Sequence, residues 1–256
     1  MSKIKVVFFD LGSTLVHAEI AWPEADFWRR GDAALVQVLQ GAGFPLSAET
    51  FFDEYSTFLD RYYTDLLPGE NIERTAFSLL QEILAKKGYT NVPVPVLRSA
   101  LEALYAVTDQ NWINEEDAIP TLEALKQRGY HLGLISNTSD DAHVLYLLDK
   151  NGLKPFFESV ITSAALGIRK PDQRIFQVAL DHFQVKPEAA AMIGDTLDAD
   201  ILGANHLGIY SIWITRRAQI LEEGELTIQP QAVVSSLSQI PGLLSEVEND
   251  HEEGLA

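Results

Sequence analysis

The sequence contains no cysteine, and this absence excludes several kinds of chemistry at once. Without thiols, the chain forms no disulfide, carries no thiolate nucleophile and builds no zinc–thiolate site. It also lacks any run of about twenty apolar residues, so we expect no membrane-spanning helix. Lys3 and Lys5 precede only the apolar run Val6–Phe9, which is too short for a secretory signal. We therefore expect a cytoplasmic protein.

Basic residues are scarce as well. Nineteen Lys and Arg residues stand against 37 Asp and Glu residues, which gives a formal net charge of −18. A nucleic-acid or anionic-membrane partner requires clustered Lys and Arg, so we expect neither partner. Part of the acidic excess lies in residues 246–256, which lack apolar periodicity and which we predict to be a disordered tail. No feature of the sequence indicates an oligomeric state.

Short apolar runs recur along the chain and are typical of buried parallel strands. They are Ile4–Phe9, Tyr130–Ile135, Ser159–Thr162, Ala190–Ile193, Ile209–Ile214 and Ala232–Ser235. Segments with helical spacing separate most of them, at about Ala118–Arg128, Asp140–Asn151, Asp172–Phe183, Ala199–Leu207 and Leu237–Val247. This alternation predicts an α/β fold in which helices cover both faces of a doubly wound parallel sheet.

The connection between the first and second predicted strands is much longer than the others. Residues 17–114 contain no convincing strand, and their apolar spacing is helical at Trp22–Leu39, Ala48–Leu66, Ile72–Lys86 and Val94–Val107. We predict that this segment is an inserted, all-helical cap domain, and that residues 1–16 and 115–245 form the core domain. The insertion follows the carboxyl end of a strand, where α/β sheets bind ligands, so we expect the cap to act as a lid.

Polar side chains follow two of the predicted strands directly. Asp10 comes after the first strand, and Ser136 and Asn137 come after the second. Ser136, Asn137 and the N–H groups at the start of the next helix are suited to holding an anion. Taken singly, each of these residues is more often a turn or helix-cap residue than a catalytic group.

Two further motifs carry charge. Lys170 directly precedes Pro171 and a predicted helix, and Asp195, Asp198 and Asp200 follow the strand that ends at Ile193. In isolation, Lys170 is more simply interpreted as an exposed loop lysine, and the three aspartates as a solvated turn. Carboxylates at a strand end also suit Mg²⁺. Together, the four motifs supply a nucleophile, an anion cradle, a cation and metal ligands at one edge of the sheet. Coincidence is then the poorer explanation.

In this order and context, the motifs resemble those of the haloacid dehalogenase superfamily. The resemblance covers Lys3–Leu15 and about Ala118–Thr215, while the residues between them match only in position and helical character. It implies a Rossmann-like core and a hydrolase, most members being phosphatases or phosphotransferases. The substrate would be a small phosphorylated molecule, and the cofactor would be Mg²⁺.

The resemblance also implies roles for the matching residues. Asp10 would attack phosphorus and form an aspartyl-phosphate, which water then hydrolyses. Ser136 and Asn137 would hold the phosphate. Lys170 would neutralise charge between the Asp10 carboxylate and the phosphate oxygens.

The metal site follows from the same resemblance. Asp195 would bind Mg²⁺ together with the Asp10 carboxylate and the backbone carbonyl of Gly12. Asp200 would orient Lys170 or a metal-bound water.

Gly12 departs from the family pattern, because family phosphatases usually carry a second Asp at this position. That Asp protonates the leaving alcohol and then activates water, and such help is typically worth about 10²–10⁴-fold in rate. A glycine cannot transfer a proton, so an alkyl phosphate should be a poor substrate unless His17, Asp198 or Glu24 substitutes. Acyl and aryl phosphates, whose leaving groups need little protonation, are less penalised.

Gly12 keeps alternative functions open. A slowly hydrolysed aspartyl-phosphate favours phosphotransfer, and a weakly active chain favours a binding or regulatory module. Dehalogenase-like members also lack the second Asp, but they usually have an aromatic residue at the position of Gly12 and few metal ligands in the fourth motif. The carboxylates Asp195 and Asp200 argue against that branch.

Overall fold

The computed structural model describes residues 3–20, 24–64, 71–218 and 227–253 of the 256-residue chain. The chain divides into two compact units. One, the core unit, comprises Met1–His17 and Ile113–Ala256, and the other, the helical unit, comprises Ala18–Trp112. The strands are β1 (Val6–Phe9), β2 (Val16–Ala18), β3 (Trp112–Asn114), β4 (His131–Ser136), β5 (Ser159–Thr162), β6 (Ala190–Gly194), β7 (Tyr210–Ile214) and β8 (Ala232–Val234). The helices are α1 (Glu24–Gly41), α2 (Ala48–Thr64), α3 (Ala76–Lys86), α4 (Val94–Thr108), α5 (Ala118–Gln127), α6 (Asp141–Lys150), α7 (Ser163–Leu166), α8 (Gln173–Phe183), α9 (Leu202–Leu207) and α10 (Ile240–Glu253).

The core unit is built on a six-stranded sheet of order β5-β4-β1-β6-β7-β8, in which every neighbouring pair is parallel. All four residues of β1 are buried, because both faces of a central strand in such a sheet are covered. This confirms the predicted doubly wound α/β fold. The chain runs from β1 to one side of the sheet and from β6 to the other, so the topological switch point lies between β1 and β6.

Two helices of the core unit begin at the aspartates that the sequence places at their starts. Asp140 and Asp172 are N-caps, and their side chains accept hydrogen bonds from the backbone N–H groups of His143 and Arg174. The segment predicted as one helix at Ala199–Leu207 differs, because it starts with a π-helical turn at Leu197–Ile201 and continues as α9. This wider turn brings Asp200 back towards the end of β6.

The helical unit has its own apolar core, formed by α1, α2, α3 and α4. Helices α1 and α4 approach closely at Gly31, where an added Cβ would lie 3.0 Å from Thr108 Cγ2. The buried residues of this core are Leu35, Val36, Leu39, Leu46, Phe51, Tyr55, Ala76, Leu80, Ile83, Leu84, Val92, Leu97, Ala100 and Leu101. Helices α1 to α4 correspond to the four segments with helical spacing, although α3 begins at Ala76 and not at Ile72.

The prediction of no strand in residues 17–114 is wrong at both ends of that segment. Strands β2 and β3 form a two-stranded sheet there. The Glu115 N–H donates to Leu15 O at 2.9 Å, and the Glu19 N–H donates to Asn111 O at 2.8 Å. Strands of three residues are too short to show a period of two, so only the tertiary pairing reveals them.

The predicted disordered tail at 246–256 is wrong as far as residue 253, because α10 continues through Glu253. Ile240 and Leu244 are fully buried and anchor the start of the helix. Tyr130 donates its hydroxyl to Glu248 Oε1 at 3.0 Å, which holds one acidic residue of this segment in place. Residues 254–256 lie outside the described part of the chain. Within the described ranges, no helix has the length and apolar character needed to cross a membrane.

Candidate active site

The residues singled out at strand ends lie at the carboxyl edge of the sheet. Asp10 directly follows β1, Ser136 is the last residue of β4, and Asp195 directly follows β6. The Asp10 N–H donates to Ile193 O at 2.9 Å, so pairing with β6 continues one residue beyond β1. Asp10 is therefore held at the switch point, where open α/β sheets bind their ligands.

Lys170 joins this edge from the loop between α7 and α8. Its ammonium nitrogen lies 2.6 Å from Asp10 Oδ1 and 2.6 Å from Asp200 Oδ1, and it donates to Ile135 O at 2.7 Å. Burial alone would lower the pKa of this ammonium, but the two carboxylates outweigh burial and raise the pKa above its ordinary value. Lys170 is thus a buried cation, 3% exposed, between two acids.

The side chain of Asn137 holds the backbone of Lys170. Asn137 Oδ1 accepts the Lys170 N–H at 2.8 Å, and Asn137 Nδ2 donates to Lys170 O at 3.1 Å. The sequence predicts that the Asn137 amide binds an anion. In this structure both of its polar atoms bind the backbone of Lys170, so its direct effect is on the position of Lys170. Ser136 is buried and in register with Thr162 of β5. Its role in holding phosphate stays a prediction.

The loop after β6 places Asp200 beside the end of its own strand. The Thr196 N–H donates to Asp200 Oδ2 at 3.0 Å, and the Asp200 N–H donates to Thr196 O at 2.8 Å. A Cβ at Gly194 would lie 2.2 Å from Asp200 Oδ2, well inside van der Waals contact. The carboxylate of Asp200 therefore occupies space that only glycine at position 194 leaves free.

Three carboxylates converge as a result. Oxygen atoms of Asp10, Asp195 and Asp200 lie within 4.8 Å of one another. Burial, and then the charge of Asp10, raise the pKa of Asp195 to about 6, and burial also raises the pKa of Asp200 above its ordinary value although Lys170 opposes the change. With all four groups ionised, the ammonium of Lys170 leaves two negative charges uncompensated. A divalent cation with a preference for oxygen ligands, such as Mg²⁺, fits this arrangement.

The turn that follows Asp10 is held by backbone hydrogen bonds. The N–H groups of Leu15 and Val16 donate to Leu11 O at 2.9 and 3.0 Å, and the Ser13 N–H donates to Val16 O at 2.7 Å. Ser13 has a φ of 59°, in the left-handed region that few residues other than glycine adopt. Gly12 lies within this turn, so its backbone follows Asp10 closely, while the binding of metal by its carbonyl stays a prediction.

The structure also places the proposed substitutes for the missing acid–base group. His17 Nδ1 lies 2.8 Å from Glu115 Oε1, and Glu115 also binds Arg216 and Arg217. Burial alone would raise the pKa of Glu115, but the two guanidinium groups lower it overall. Asp198 is exposed, and the side chain of Glu24 lies outside the described part of the chain.

Comparison with known proteins identifies the family. The family model described as haloacid dehalogenase-like hydrolase matches residues 4–208. The chain is a haloacid dehalogenase-like hydrolase. The family match therefore confirms the resemblance seen in the motifs, and it extends through the helical unit.

Individual relatives of this haloacid dehalogenase-like hydrolase carry different names. The glyceraldehyde 3-phosphate phosphatase of Methanopyrus kandleri is 32% identical over 214 residues, which cover 83% of this chain and 84% of that protein. The structure of 2-haloacid dehalogenase from Pseudomonas syringae pv. Tomato DC3000 is 26% identical, with a TM-score of 0.66, and the match covers 95% of this chain and 99% of that one. A HAD phosphatase from Thermococcus onnurineus shares the fold at 22% identity, with a TM-score of 0.64 and coverage of 94% and 98%.

Two further residues lie beside the candidate site and were not predicted from the sequence. Trp213 of β7 donates its indole N–H to Asp195 O at 2.8 Å, and Glu115 gathers His17 and two arginines beside the turn after β1. A tryptophan near the end of a strand and an acid after a short strand are weak signals on their own, because such residues occur widely in cores and turns.

Proposed function

We propose that this haloacid dehalogenase-like hydrolase is a Mg²⁺-dependent phosphatase that acts on a small phosphorylated molecule through an aspartyl-phosphate on Asp10. The observation that carries the proposal is the position of Lys170, whose ammonium lies 2.6 Å from both Asp10 and Asp200. An anionic nucleophile that attacks an anionic substrate needs such a cation, since charge repulsion otherwise raises the barrier. The relative named glyceraldehyde 3-phosphate phosphatase supports the same reaction class.

In the first step, an Asp10 carboxylate oxygen forms a bond to phosphorus while the bond from phosphorus to the leaving oxygen breaks, and the leaving oxygen keeps the electron pair. Lys170 holds Asp10 Oδ1 and so orients the carboxylate for attack. In the second step, water attacks phosphorus and the bond to Asp10 breaks. Inorganic phosphate is released and the carboxylate is restored.

The residues that would hold Mg²⁺ are Asp10, Asp195 and the Gly12 carbonyl, and Asp200 would orient Lys170. The oxygen atoms of the three aspartates lie within 4.8 Å of one another, which supports this assignment. When bound, Mg²⁺ supplies positive charge that stabilises the oxygens of the transferring phosphoryl group. The buried Ser136 would donate its hydroxyl to the same group.

The leaving group decides how fast the first step is. Gly12 cannot donate a proton, so acyl and aryl phosphates should react faster than alkyl phosphates by up to the roughly 10²–10⁴-fold that general acid catalysis supplies. The substrate named for the Methanopyrus relative is an alkyl phosphate, so glyceraldehyde 3-phosphate is the natural alkyl member of the test panel. A long-lived aspartyl-phosphate would instead transfer its phosphoryl group to an added alcohol.

The helical unit is the proposed cap. It is inserted immediately after the turn that follows Asp10, and it has a separate apolar core. As a cap, this unit would limit the access of water to the reaction and contribute to the choice of substrate.

The test measures phosphate release from aryl, acyl and alkyl phosphates, with and without Mg²⁺, by wild type and by Asp10→Asn. We expect Mg²⁺-dependent release by wild type and loss of release in Asp10→Asn, because an amide is a poor nucleophile. Asp149→Asn is the matched control, since Asp149 is an exposed residue of α6. Activity that survives in Asp10→Asn contradicts the assignment of the nucleophile.

A dehalogenase is the second candidate, supported by the fold of the 2-haloacid dehalogenase from Pseudomonas syringae. Attack on carbon needs no metal, whereas the carboxylates of Asp195 and Asp200 beside Asp10 favour a cation. Halide release from 2-haloacids without Mg²⁺, together with no phosphate release, would establish this alternative. The absence of both activities, together with a tight protein partner, would favour the binding module.

A further inference from the structure

One tryptophan connects the neighbouring strand to the loop that carries Asp195 and Asp200. Trp213 lies on β7 in register with Gly194, the last residue of β6. Its indole Nε1–H donates to the backbone carbonyl of Asp195 at 2.8 Å. This hydrogen bond joins a side chain to the loop just beyond the point where the β6–β7 pairing ends.

The ring of Trp213 also packs against residues of the loop that carries the two carboxylates. Trp213, Leu197 and Ile201 form a buried apolar cluster, and Trp213 is only 8% exposed. Leu197 and Ile201 begin and end the π-helical turn that contains Asp200. One side chain therefore holds Asp195 by a hydrogen bond and the turn of Asp200 by apolar contact.

The distance between the two carboxylates depends on this loop. Asp195 and Asp200 belong to one short segment. The backbone of Thr196 binds Asp200, and the Thr196 hydroxyl donates to Asp195 Oδ1 at 3.2 Å, but neither contact holds the backbone of Asp195. Mg²⁺ requires nearly ideal octahedral ligand positions. Partners that orient metal ligands typically contribute about 10–100-fold in metal affinity.

We propose that Trp213 is a positioning residue for the cation site, and that its indole N–H fixes the position of the Asp195 backbone. This inference rests on the Mg²⁺ site of the proposed function. Trp213 touches no reacting atom in this assignment, so it should act on cation affinity and leave the chemical step at saturating Mg²⁺ nearly unchanged.

The test variant is Trp213→Phe, which keeps an aromatic ring but removes the N–H. We expect the Kd for Mg²⁺, measured by calorimetry on the full chain, to rise about tenfold. With an aryl phosphate as substrate, kcat at saturating Mg²⁺ should stay close to that of wild type, while the Mg²⁺ concentration for half-maximal rate rises in parallel with Kd.

Tyr130→Phe is the matched control in the same unit. It removes one hydrogen bond, to Glu248, from a buried aromatic residue directly before β4, at the opposite end of that strand from Ser136. We expect a small loss of thermal stability and an unchanged Kd for Mg²⁺. If Trp213→Phe behaves in the same way, the inference is wrong while the proposed function stands.

A second measurement keeps Trp213 intact and covers the case in which Trp213→Phe does not fold. The four tryptophans give four indole N–H signals in a ¹H–¹⁵N spectrum. Substituting each of the other three in turn by Phe assigns the signal of Trp213. Mg²⁺ should shift this signal more than the others, and an unmoved signal with bound Mg²⁺ overturns the inference. If wild type binds no Mg²⁺ at all, the metal site of the proposed function fails and the inference fails with it.

Discussion

Gly194→Ala is the most informative single substitution that the structure suggests. An added methyl group would lie 2.2 Å from Asp200 Oδ2 and Cγ and 2.5 Å from Asp200 Cβ. Asp200 cannot easily retreat, because its carboxylate is bound by Lys170 at 2.6 Å and by the Thr196 N–H at 3.0 Å. Either the strand end shifts or the carboxylate leaves its place.

The two outcomes differ in how much unfolding free energy they cost. Adding a methyl group to a packed interior costs typically about 1–3 kcal/mol of unfolding free energy. Breaking a buried ion pair so that one charge is left without its partner costs about 3–5 kcal/mol. Because the methyl group meets the carboxylate itself, we expect a loss at the upper end, about 4 kcal/mol at neutral pH, and a Kd for Mg²⁺ at least about tenfold higher.

The assay is urea unfolding together with calorimetric Mg²⁺ binding for wild type, Gly194→Ala and Gly133→Ala. Gly133 is also a strand glycine, but a Cβ there would meet the ring of Phe8 at 2.8 Å and not a carboxylate. We expect Gly133→Ala to lose stability and keep its affinity for Mg²⁺. Wild-type Mg²⁺ affinity in Gly194→Ala would refute the reasoning, since the carboxylate would then tolerate a group in its space.

Three further predictions concern charge. Lys170→Met should destabilise the protein by about 3–5 kcal/mol at pH 8, because it leaves buried carboxylates without their cation. The loss should be smaller at pH 5, where protonation of Asp200 removes part of the repulsion between the carboxylates. Equal losses in urea unfolding at both pH values would argue against this account. Burial raises the pKa of Asp32 to about 7 from an ordinary value of 3.8, against a partial opposing effect of a neighbouring arginine. The folded state therefore retains a proton that the unfolded chain has lost, and this group should lower wild-type stability by about 4 kcal/mol as pH rises from about 4 to above 7. Asp32→Asn should remove this part of the pH dependence, whereas Asp26→Asn, at an exposed position of the same helix, should leave it intact. Finally, Gly12→Asp should raise turnover of an alkyl phosphate by about 10²-fold or more and that of an aryl phosphate much less; a similar gain for both would indicate that the new carboxylate does not act on the leaving group.

The sequence by itself determined the six parallel strands of the core sheet and most of the candidate site. Buried parallel strands are apolar on both faces, so the point where each ends is visible as the first polar residue, as at Asp10, Ser136 and Asp195. All parallel strands end at the same edge, so these residues had to gather once the sheet formed. The helical unit was also predictable, because helical periodicity is a local property.

The tertiary structure alone decided which atoms pair. Lys170 and Asp10 are separated by 160 positions, and the contact at 2.6 Å depends on how a loop packs over two strand ends. The same is true of the Asn137 amide, which binds the backbone of Lys170. The sequence predicted the start of α10 but not its continuation from Val247 to Glu253, where the Tyr130 hydroxyl binds Glu248 and local composition carries no record of that contact. Sequence patterns indicate which residues are buried periodically. Hydrogen-bond partners depend instead on packing between segments that are far apart in the chain.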